Sequence, residues 1–273
     1  MKIVFSADDF GLSNTTNKAI IDCYKNGVVR STSFFSDSHF YPEIINDLSF
    51  GLHINLTDRP NKKNYNYIEL LLCSFNKKLL KSIEKDIDSQ FSQVLSEKIN
   101  IDHVDSERHV HMIPSIFFIV CKIAQKYKVK YLRNINEPLV MPSNPLKFLS
   151  MVTNLGIFKL LLMKYFSRKN KKILKNFKLK TVDYTYGLLY TNRITVGVIK
   201  SMIRDAIKRK AKVIEIITHP GYKYTEPEKG LSDRLLKYSS HSNRIKEAKI
   251  LQSKKLINFL YKSKVKLVTF QGI

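Results

Sequence analysis

The sequence has few cysteines, and none of them belongs to a paired motif. Cys23, Cys73 and Cys121 are odd in number, lie far apart and include no Cys-x-x-Cys pair. This pattern argues against a disulfide framework and against a zinc-thiolate site. We therefore expect the three side chains to be small, buried apolar residues.

Two common signatures of hydrolases are also absent. Neither a Gly-x-Ser-x-Gly elbow nor a Gly-x-x-x-x-Gly-Lys phosphate loop occurs in the 273 residues. Their absence weakens the case for a serine hydrolase and for a nucleotide hydrolase. The amino terminus has a single basic residue, Lys2, and then only a few apolar residues before Asp8, which is too short a run for a signal-peptide core. The expected location is therefore the cytoplasm.

Acidic residues are scarce relative to basic ones. The 47 Lys and Arg against 23 Asp and Glu give a formal net charge of +24. Such a charge is typical of proteins that bind nucleic acid, anionic membranes or acidic substrates. Here the basic residues are spread along the chain, and no zinc finger, RNP-type aromatic motif or basic-region helix accompanies them. We therefore expect no nucleic-acid partner and attribute the charge to a composition rich in Lys, Asn and Ile.

The chain alternates short β-rich runs with longer amphipathic patterns, which is typical of parallel βαβ units. No clear linker or internal repeat is present. The expected strands are Lys2–Ser6, Thr32–Phe35, Phe50–Asn55, Ile101–Asp105, Lys130–Arg133, Val182–Tyr184, Val213–Thr218 and Lys266–Phe270. The expected helices run from Ser13 or Asn14 to Asn26 and over Leu79–Glu97, Pro114–Lys126, Thr195–Lys208 and Ser242–Leu260. Eight candidate strands suit an α/β barrel.

Active sites of α/β barrels lie at the carboxyl ends of the strands, and four of the expected ends carry ionisable side chains. Asp8 and Asp9 follow the first strand, His53 lies in the third, the fourth runs into the stretch 103–111, and the seventh ends at His219. An isolated Asp-Asp pair is more often a helix cap with a nearby salt bridge, and a lone histidine is more often a core or loop residue. Their joint occurrence at strand ends favours a functional site.

The fourth of these segments is the densest in ionisable groups. Its alternate residues are His103, Asp105, Glu107, His109 and His111. In an extended chain these residues share one face, and a core does not bury five such groups without partners or a metal. The alternative is a solvated strand edge that continues into a loop. A divalent ion held by carboxylate and imidazole ligands is the common plan of metal-assisted hydrolysis.

The motifs resemble those of the YdjC-like carbohydrate deacetylases, a family that includes chitooligosaccharide deacetylase and is distantly related to the NodB-type polysaccharide deacetylases. The similarity comprises Ala-Asp-Asp-Phe-Gly-Leu-Ser at 7–13, Gly-Leu-His-Ile-Asn-Leu-Thr at 51–57, His-Val-Asp-Ser at 103–106 with His109 to Pro114, and His-Pro-Gly-Tyr at 219–222. It continues through Asn243, Arg244 and Glu247 to the last strand. The resemblance implies an irregular, TIM-like (β/α) barrel of seven to eight mainly parallel strands, as one domain over residues 1–273.

The same resemblance implies a divalent metal and removal of acetate from an N-acetylated amino sugar, either an oligosaccharide or a lipid-linked sugar. Asp9 and His53 are the expected metal ligands. Asp8 is the expected base that activates water, and His219 is the expected acid that protonates the leaving amine. The expected substrate-binding residues are Asp105, His111, Tyr222 and Arg244.

The sequence departs from the family pattern at Glu107, where the family has a metal-binding histidine. A glutamate binds a hard divalent ion through oxygen, so we expect Glu107 to be the third ligand of a single ion. The alternative is that His109 is the ligand and Glu107 orients it. Two carboxylates in the ligand set favour Mg²⁺, with Mn²⁺ and Zn²⁺ as alternatives.

Two other functions fit the same sequence. One is hydrolysis of a different amide or ester by the same residues. The other is a sugar- or lipid-binding protein whose metal site has decayed at Glu107, which the presence of Asp8 and His219 argues against because a binding module needs neither. A homodimer is consistent with either function.

The apolar stretch Phe148–Met163 is followed by the basic residues Arg168, Lys169, Lys171 and Lys172. Its sixteen residues are fewer than the ~20 needed to span a bilayer. We expect a buried helix or a lid, within a helical insertion near residues 140–180. The alternative is an interfacial helix that makes peripheral membrane contact through residues 148–172.

Overall fold

The described part of the chain contains eight short strands, all paired in parallel. A computed structural model describes residues 1–37, 47–59, 62–141, 156–224 and 233–273. The strands are β1 (Lys2–Phe10), β2 (Ser31–Phe34), β3 (Ser49–Ile54), β4 (His103–Ser106), β5 (Tyr131–Leu132), β6 (Tyr184–Tyr186), β7 (Val213–Thr218) and β8 (Lys266–Leu267). Their order in the sheet is β5-β4-β3-β2-β1-β7-β6, and β8 pairs with β1.

The sheet curls into an incomplete barrel. A parallel bridge joins Tyr131 of β5 to Lys180, which precedes β6, and so brings the two edges of the sheet together. The N–H of Lys180 donates to the carbonyl of Lys130 at 2.9 Å. β8 pairs only with the first residues of β1, at the amino-terminal end of the barrel. The expected TIM-like α/β barrel of mainly parallel strands is therefore confirmed.

Helices connect the strands and cover the outside of the sheet. They are α1 (Asn14–Lys25), α2 (Tyr67–Leu71), α3 (Lys77–Ser96), α4 (Pro114–Lys126), α5 (Gly156–Phe177), α6 (Val196–Lys208), α7 (Asp233–Ser239), α8 (Ser242–Leu251) and α9 (Lys254–Lys262). Short 3₁₀ segments occupy Cys73–Phe75, Glu107–Met112 and Phe270–Gly272. The side chain of Ser13 accepts the N–H of Thr16 and so caps the start of α1. Within the described ranges, no helix is long and apolar enough to cross a membrane.

The two faces of the sheet have different partners. Along β1, Ile3, Phe5 and Ala7 belong to the main core beneath the helices. The alternate residue Val4 faces the barrel interior, where it packs in a small apolar cluster with Phe270 and three other residues. This cluster fills the amino-terminal end of the interior. The remaining interior is lined by polar side chains, and it opens at the carboxyl ends of the strands.

Several boundaries differ from those expected. β1 continues to Phe10 instead of ending at Ser6, because a bulge that contains Asp9, at φ 73°, realigns Phe10 with Phe34 of β2. The helix expected over Ser242–Leu260 is divided into α8 and α9, because the Ser253 side chain accepts the N–H of Leu256 and starts a new helix.

In the first half of the chain, β4 begins two residues later and α3 two residues earlier than expected. β6 begins two residues later than expected, and β8 ends at Leu267, with Phe270 in a 3₁₀ segment. Of the apolar stretch Phe148–Met163, residues 148–155 lie outside the described residues. The rest forms the start of α5.

β3 passes so close to His103 that position 51 has no room for a side chain. A Cβ at Gly51 would lie 2.3 Å from Nε2 of His103. His103 cannot move aside, because its Nδ1 lies 2.6 Å from Asp102 Oδ1 and its ring stacks on Phe270 at 4.1 Å between centroids.

Gly51→Ala is expected to lower the free energy of unfolding by about 1–3 kcal/mol, the usual cost of overpacking a core. The matched control is Gly197→Ala in the first turn of α6, where the nearest atom to an added Cβ is 3.8 Å away. That change should be neutral or slightly stabilising, because alanine has less freedom than glycine in the unfolded chain. Urea denaturation measures both variants, and a wild-type midpoint for Gly51→Ala would contradict the prediction.

Candidate metal centre and active site

The residues expected to form a site lie at the carboxyl-terminal rim, meaning the edge of the barrel where the strands end. Asp8 and Asp9 lie in the last part of β1, His53 lies near the end of β3, and His219 directly follows β7. Glu107 begins the 3₁₀ segment after β4. The expectation that these strand ends meet is therefore fulfilled.

A buried arginine lies at the centre of the interior. Nη1 of Arg133 is 2.6 Å from Oδ2 of Asp8, and Nη2 is 2.8 Å from Oδ1 of the same carboxylate. Nη1 also lies 2.7 Å from Oδ2 of Asp105, and Nη2 lies 2.7 Å from Oε1 of Glu215. All four side chains are at most 2% exposed. Three carboxylates from three strands therefore surround one guanidinium group.

These contacts shift the protonation of the cluster. Burial raises the pKa of Glu215, and the nearby Arg133 opposes that rise without cancelling it. Burial also acts to raise the pKa of Asp105, but the positive charges of Arg133 and His53 hold it well below its usual value. Asp105 is thus kept ionised in the interior.

His53 is oriented by Asp105 on one side and faces two other carboxylates on the other. Its Nδ1 lies 2.6 Å from Oδ1 of Asp105. Its Nε2 lies 3.5 Å from Oδ1 of Asp9 and 3.9 Å from Oε2 of Glu107. Burial acts to lower the pKa of His53, but Asp105, Glu107 and Asp8 raise it well above its usual value. The arrangement directs Nε2 towards the space between Asp9 and Glu107.

One set of donor atoms is suited to a divalent ion. Ligand atoms of Asp9, His53 and Glu107 all lie within 4.8 Å of one another. Those of Asp8, His53 and Asp105 do so too, but there the Arg133 guanidinium already lies against both carboxylates, and an added cation would be repelled. The first set is the one expected from the sequence, with Glu107 in the third position.

Asp9 is held in place by a second buried arginine. Nη1 of Arg244 on α8 donates to Oδ2 of Asp9 at 2.9 Å, which leaves Oδ1 facing His53. The guanidinium of Arg244 lies 4.8 Å from the ring centroid of Tyr238 on α7. Arg244 has no exposed surface, so its observed contacts position Asp9 and do not reach the opening.

His219 provides an imidazole near these carboxylates. Its backbone N–H donates to Oε1 of Glu247 at 2.8 Å, and burial raises the pKa of that glutamate to about 7. Burial lowers the pKa of His219, whereas Asp9 and Asp8 act to raise it. Its Nδ1 is buried and has no hydrogen-bond partner among the residues described. An imidazole with an uncommitted nitrogen is suited to proton transfer.

The alternating face expected over residues 103–111 does not extend beyond β4. The side chain of Ser106 accepts the N–H of His111 at 3.0 Å, and Arg108 and His109 adopt φ angles of 52° and 59°. The chain therefore curls back into the 3₁₀ segment. His103 and Asp105 remain in the interior, whereas Glu107 reaches the candidate metal position.

Two other expected residues make internal contacts. Nδ1 of His111 lies 2.6 Å from Oγ of Ser106 and its Nε2 lies 3.0 Å from the carbonyl of Arg133. The ring has no exposed surface, and burial lowers its pKa to about 3. Tyr222 is half-buried, and its hydroxyl donates to Oδ2 of Asp22 on α1 at 3.0 Å. In this conformation these side chains link parts of the fold to one another.

His109, the alternative third ligand, lies near the centre but belongs to neither set of converging ligand atoms. Burial lowers its pKa well below the usual value, and the charges of Lys159 and Arg133 lower it further. Its Nδ1 is buried without a hydrogen-bond partner in the described part of the chain. The geometry therefore favours Glu107 as the third ligand.

The sequence analysis missed several residues of this centre. Arg133 ends the fifth expected strand, and the strand-end rule would have found it. Glu215 lies four residues before His219, and alternate residues of a strand point to the same face. This alternation could have identified Glu215 from the sequence. Lys159 and Tyr238 lie on helices, where the strand-end rule gives no information.

Fold and site together define an α/β barrel with a candidate metal-binding active site at its carboxyl-terminal rim. A model of the YdjC-like protein family matches residues 2–262. This chain therefore belongs to the YdjC-like family, as the motifs implied.

Relatives of known name cover the whole chain. It is 26% identical to a carbohydrate deacetylase of Clostridium beijerinckii over 290 aligned positions and 25% identical to one of Listeria monocytogenes over 295, with 100% of each chain covered in both cases. A crystal structure of an Enterococcus faecalis protein, described as a cellobiose-phosphate cleavage protein, superposes with a TM-score of 0.70. That structure is 20% identical and covers 99% of this chain and 98% of its own, so it shows the shared fold.

The Arg133 cluster generates a prediction about stability. Arg133→Met should lower the free energy of unfolding at pH 7 by about 3–5 kcal/mol, because it leaves buried carboxylates without their cation. The control is Arg209→Met, which removes a partly exposed i,i+4 pair with Asp205 and should cost under about 1 kcal/mol.

The loss of Arg133 should add a pH dependence between about pH 5 and about pH 7, where the Asp105 contribution to wild-type stability is constant. In the wild type, the lowered pKa of Asp105 contributes stability that is present above its unfolded pKa of about 3.9 and is lost as the pH falls. In Arg133→Met the uncompensated carboxylates have raised pKa values, so stability should increase as the pH is lowered from about 7 to about 5. Urea denaturation at both pH values tests this, and a variant that loses stability on acidification would contradict it.

Proposed function

We propose that this protein is a metal-dependent deacetylase that removes the acetyl group from an N-acetylated amino sugar and releases acetate. The observation that carries the proposal is the convergence of Asp9, His53 and Glu107, with Asp8 and His219 beside them. The relatives named carbohydrate deacetylases support the same activity and substrate class.

The donor atoms fit one divalent ion. The separations of 3.5 Å and 3.9 Å around Nε2 of His53 suit ligands that converge on a shared ion. The Asp105 contact at Nδ1 fixes the orientation of the ring and supports Nε2 as the ligand atom. Two carboxylates and one imidazole favour Mg²⁺ or Mn²⁺, with Zn²⁺ as the alternative. A bound divalent ion supplies a Lewis acid for the acetamide carbonyl and for the attacking water.

Asp8 is the proposed base. Arg133 contacts each of its oxygens once, and a carboxylate oxygen retains a second lone pair for another donor. A ligand atom of Asp8 also lies within 4.8 Å of one on His53, so the carboxylate borders the place where water would attack. Asp8 takes a proton from that water as the water oxygen bonds to the acetyl carbon.

His219 is the proposed acid. As the C–N bond breaks, the amine nitrogen takes a proton from the imidazole, and acetate and the free amino sugar are the products. Asp9 and Asp8 favour the protonated ring that this step requires, although burial opposes it.

The sugar is proposed to contact side chains at the opening. Asp105, His111 and Arg244 are fully buried and are proposed to position the catalytic groups. Arg108 is exposed, and its guanidinium lies 5.6 Å from the ring centroid of Tyr67. Arg108 directly follows Glu107, and the pair offers a hydrogen-bond donor beside an aromatic face.

The first test of the proposal concerns the metal. Purified protein should contain about one divalent ion per chain, and exhaustive chelation should stop acetate release from an acetylated amino sugar. Readdition of Mg²⁺, Mn²⁺ or Zn²⁺ separately should restore activity and rank the three ions. Full activity in protein shown by elemental analysis to be metal-free would refute the proposal.

A second test separates the roles of the paired carboxylates. Asp8→Asn should lower turnover by roughly a hundred- to ten-thousandfold while metal content stays near normal, because it removes only the base. Asp9→Asn should lose the metal as well. The reverse pattern of metal loss would show that the two roles are exchanged. Metal binding without acetate release from a panel of acetylated sugars would favour a binding protein.

A third test concerns Glu107. Glu107→Ala should bind metal poorly, whereas Glu107→His should keep it and shift preference towards Zn²⁺, because imidazole replaces an anionic oxygen ligand. The comparison variant is His109→Ala. If His109 were the ligand, that change would remove the metal, and Glu107→Ala would weaken it only about ten- to a hundredfold. An unchanged metal affinity in Glu107→Ala would exclude both Glu107 as a ligand and Glu107 as the residue that orients His109.

A further inference from the structure

The amino-terminal half of α5 extends past the carboxyl-terminal rim. Asn170 donates to the carbonyl of Met112 at 2.9 Å, next to the end of β4, and so marks where α5 is level with the rim. Farther along, Phe177 contacts Phe118 of α4 with ring centroids 5.3 Å apart, so the end of α5 runs down the outside of the barrel. Residues 156–166 continue the helix in the opposite direction for about 16 Å at ~1.5 Å per residue, and we call them the projecting half.

The outer face of the projecting half is apolar. Phe158, Leu161 and Tyr165 are 67%, 58% and 52% exposed, and their spacing of three and four residues places them on one side of the helix. A folded protein seldom exposes three adjacent large apolar side chains without a binding role.

The same face becomes basic where α5 runs along the barrel. Arg168, Lys169 and Lys172 continue the spacing and are exposed. The whole helix contains no acidic residue, and its basic residues are Lys159, Lys164, Arg168, Lys169, Lys171, Lys172 and Lys175.

The charge of the projecting half acts on the active site. The charge of Lys159 lowers the pKa of His109, and Glu107 in turn raises the pKa of Lys159 against the effect of desolvation. Lys159 is the residue directly after Phe158. One short segment of α5 therefore carries both the apolar stripe and a charge that acts on the active site.

We propose that the outer face of α5 docks the protein on an anionic lipid surface. An apolar stripe continued by basic side chains matches the acyl and headgroup layers of such a surface. A second copy of the chain is a poor partner for this face, because the net charge is +24 and the helix has no acidic residue to pair with. Nucleic acid would leave the apolar stripe in water. Docking would place the active-site opening at the membrane, and it does not depend on the deacetylase proposal.

The test measures co-sedimentation of the full chain with phosphatidylcholine vesicles that contain about 30% phosphatidylglycerol, at low salt. Binding should require the anionic lipid and weaken as salt screens the charges. The combined change Arg168→Gln, Lys169→Gln and Lys172→Gln should weaken binding roughly fivefold per charge. The combined change Phe158→Ser, Leu161→Ser and Tyr165→Ser should weaken it roughly tenfold or more.

Matched control variants lie on other helices, α6, α8 and α9. Lys249→Gln, Lys254→Gln and Lys255→Gln remove the same number of exposed charges, and Ile207→Ser with Tyr261→Ser removes exposed apolar side chains. Both controls should bind vesicles like the wild type. Equal losses in the controls would overturn the proposal, because binding would then follow net charge or general hydrophobicity.

A spectroscopic test uses the absence of tryptophan from the chain. In Phe158→Trp the single indole should shift its emission to shorter wavelength and be quenched by brominated lipid when anionic vesicles are added. In Tyr261→Trp it should do neither. No vesicle binding at low salt would overturn the proposal. The proposal would also be overturned if the α5 variants abolished binding to a DNA duplex, or abolished dimerisation, and the wild type did not bind vesicles.

Discussion

The structure depends on the buried contact between Arg133 and the carboxylates of Asp8, Asp105 and Glu215. Transfer of these charges from water costs several kcal/mol for each ion, and only close contacts such as the 2.6–2.8 Å distances here offset that cost. The acidic residues lie on β1, β4 and β7, and the arginine directly follows β5. β5 has two residues and meets the segment before β6 through a single bridge. The ion cluster therefore holds together the side of the barrel where backbone pairing is weakest.

The same cluster orients the candidate metal centre. Oδ2 of Asp105 contacts Arg133, and its Oδ1 contacts Nδ1 of His53. Arg133 therefore holds the carboxylate that orients the histidine ring. Arg244 does the same for Asp9. Asp8, Asp9 and His53 are thus each supported by a buried partner, which limits how far these side chains must reorganise during reaction. Glu107, at the start of a 3₁₀ segment, is more exposed than His53 or Asp9.

Local patterns in the sequence predicted most of the barrel and the strand-end residues, because the two-residue and 3.6-residue periods are set by neighbours in the chain. They did not predict the ion cluster. Arg133 and Asp8 are 125 positions apart, and Arg133 and Glu215 are 82 apart, so no local pattern relates them. The prediction that five alternate residues of 103–111 share one face was wrong beyond Asp105, again because of a contact that the local pattern does not show. A side-chain bond from Ser106 to the His111 backbone, which alternation does not reveal, turns the chain.

The glutamate at position 107 also changes the charge around the centre. A neutral histidine there would leave Asp9 as the anionic ligand, and Arg244 already contacts Asp9. Glu107 adds a second negative charge, which raises the pKa of Lys159 on α5 as well as that of His53. Lys159 precedes Leu161 and follows Phe158 on that helix, so the residues proposed to contact lipid and the cation beside Glu107 share one helical turn. Docking through this turn would therefore alter the electrostatic potential at Glu107, the proposed third ligand, by changing the surroundings of Lys159.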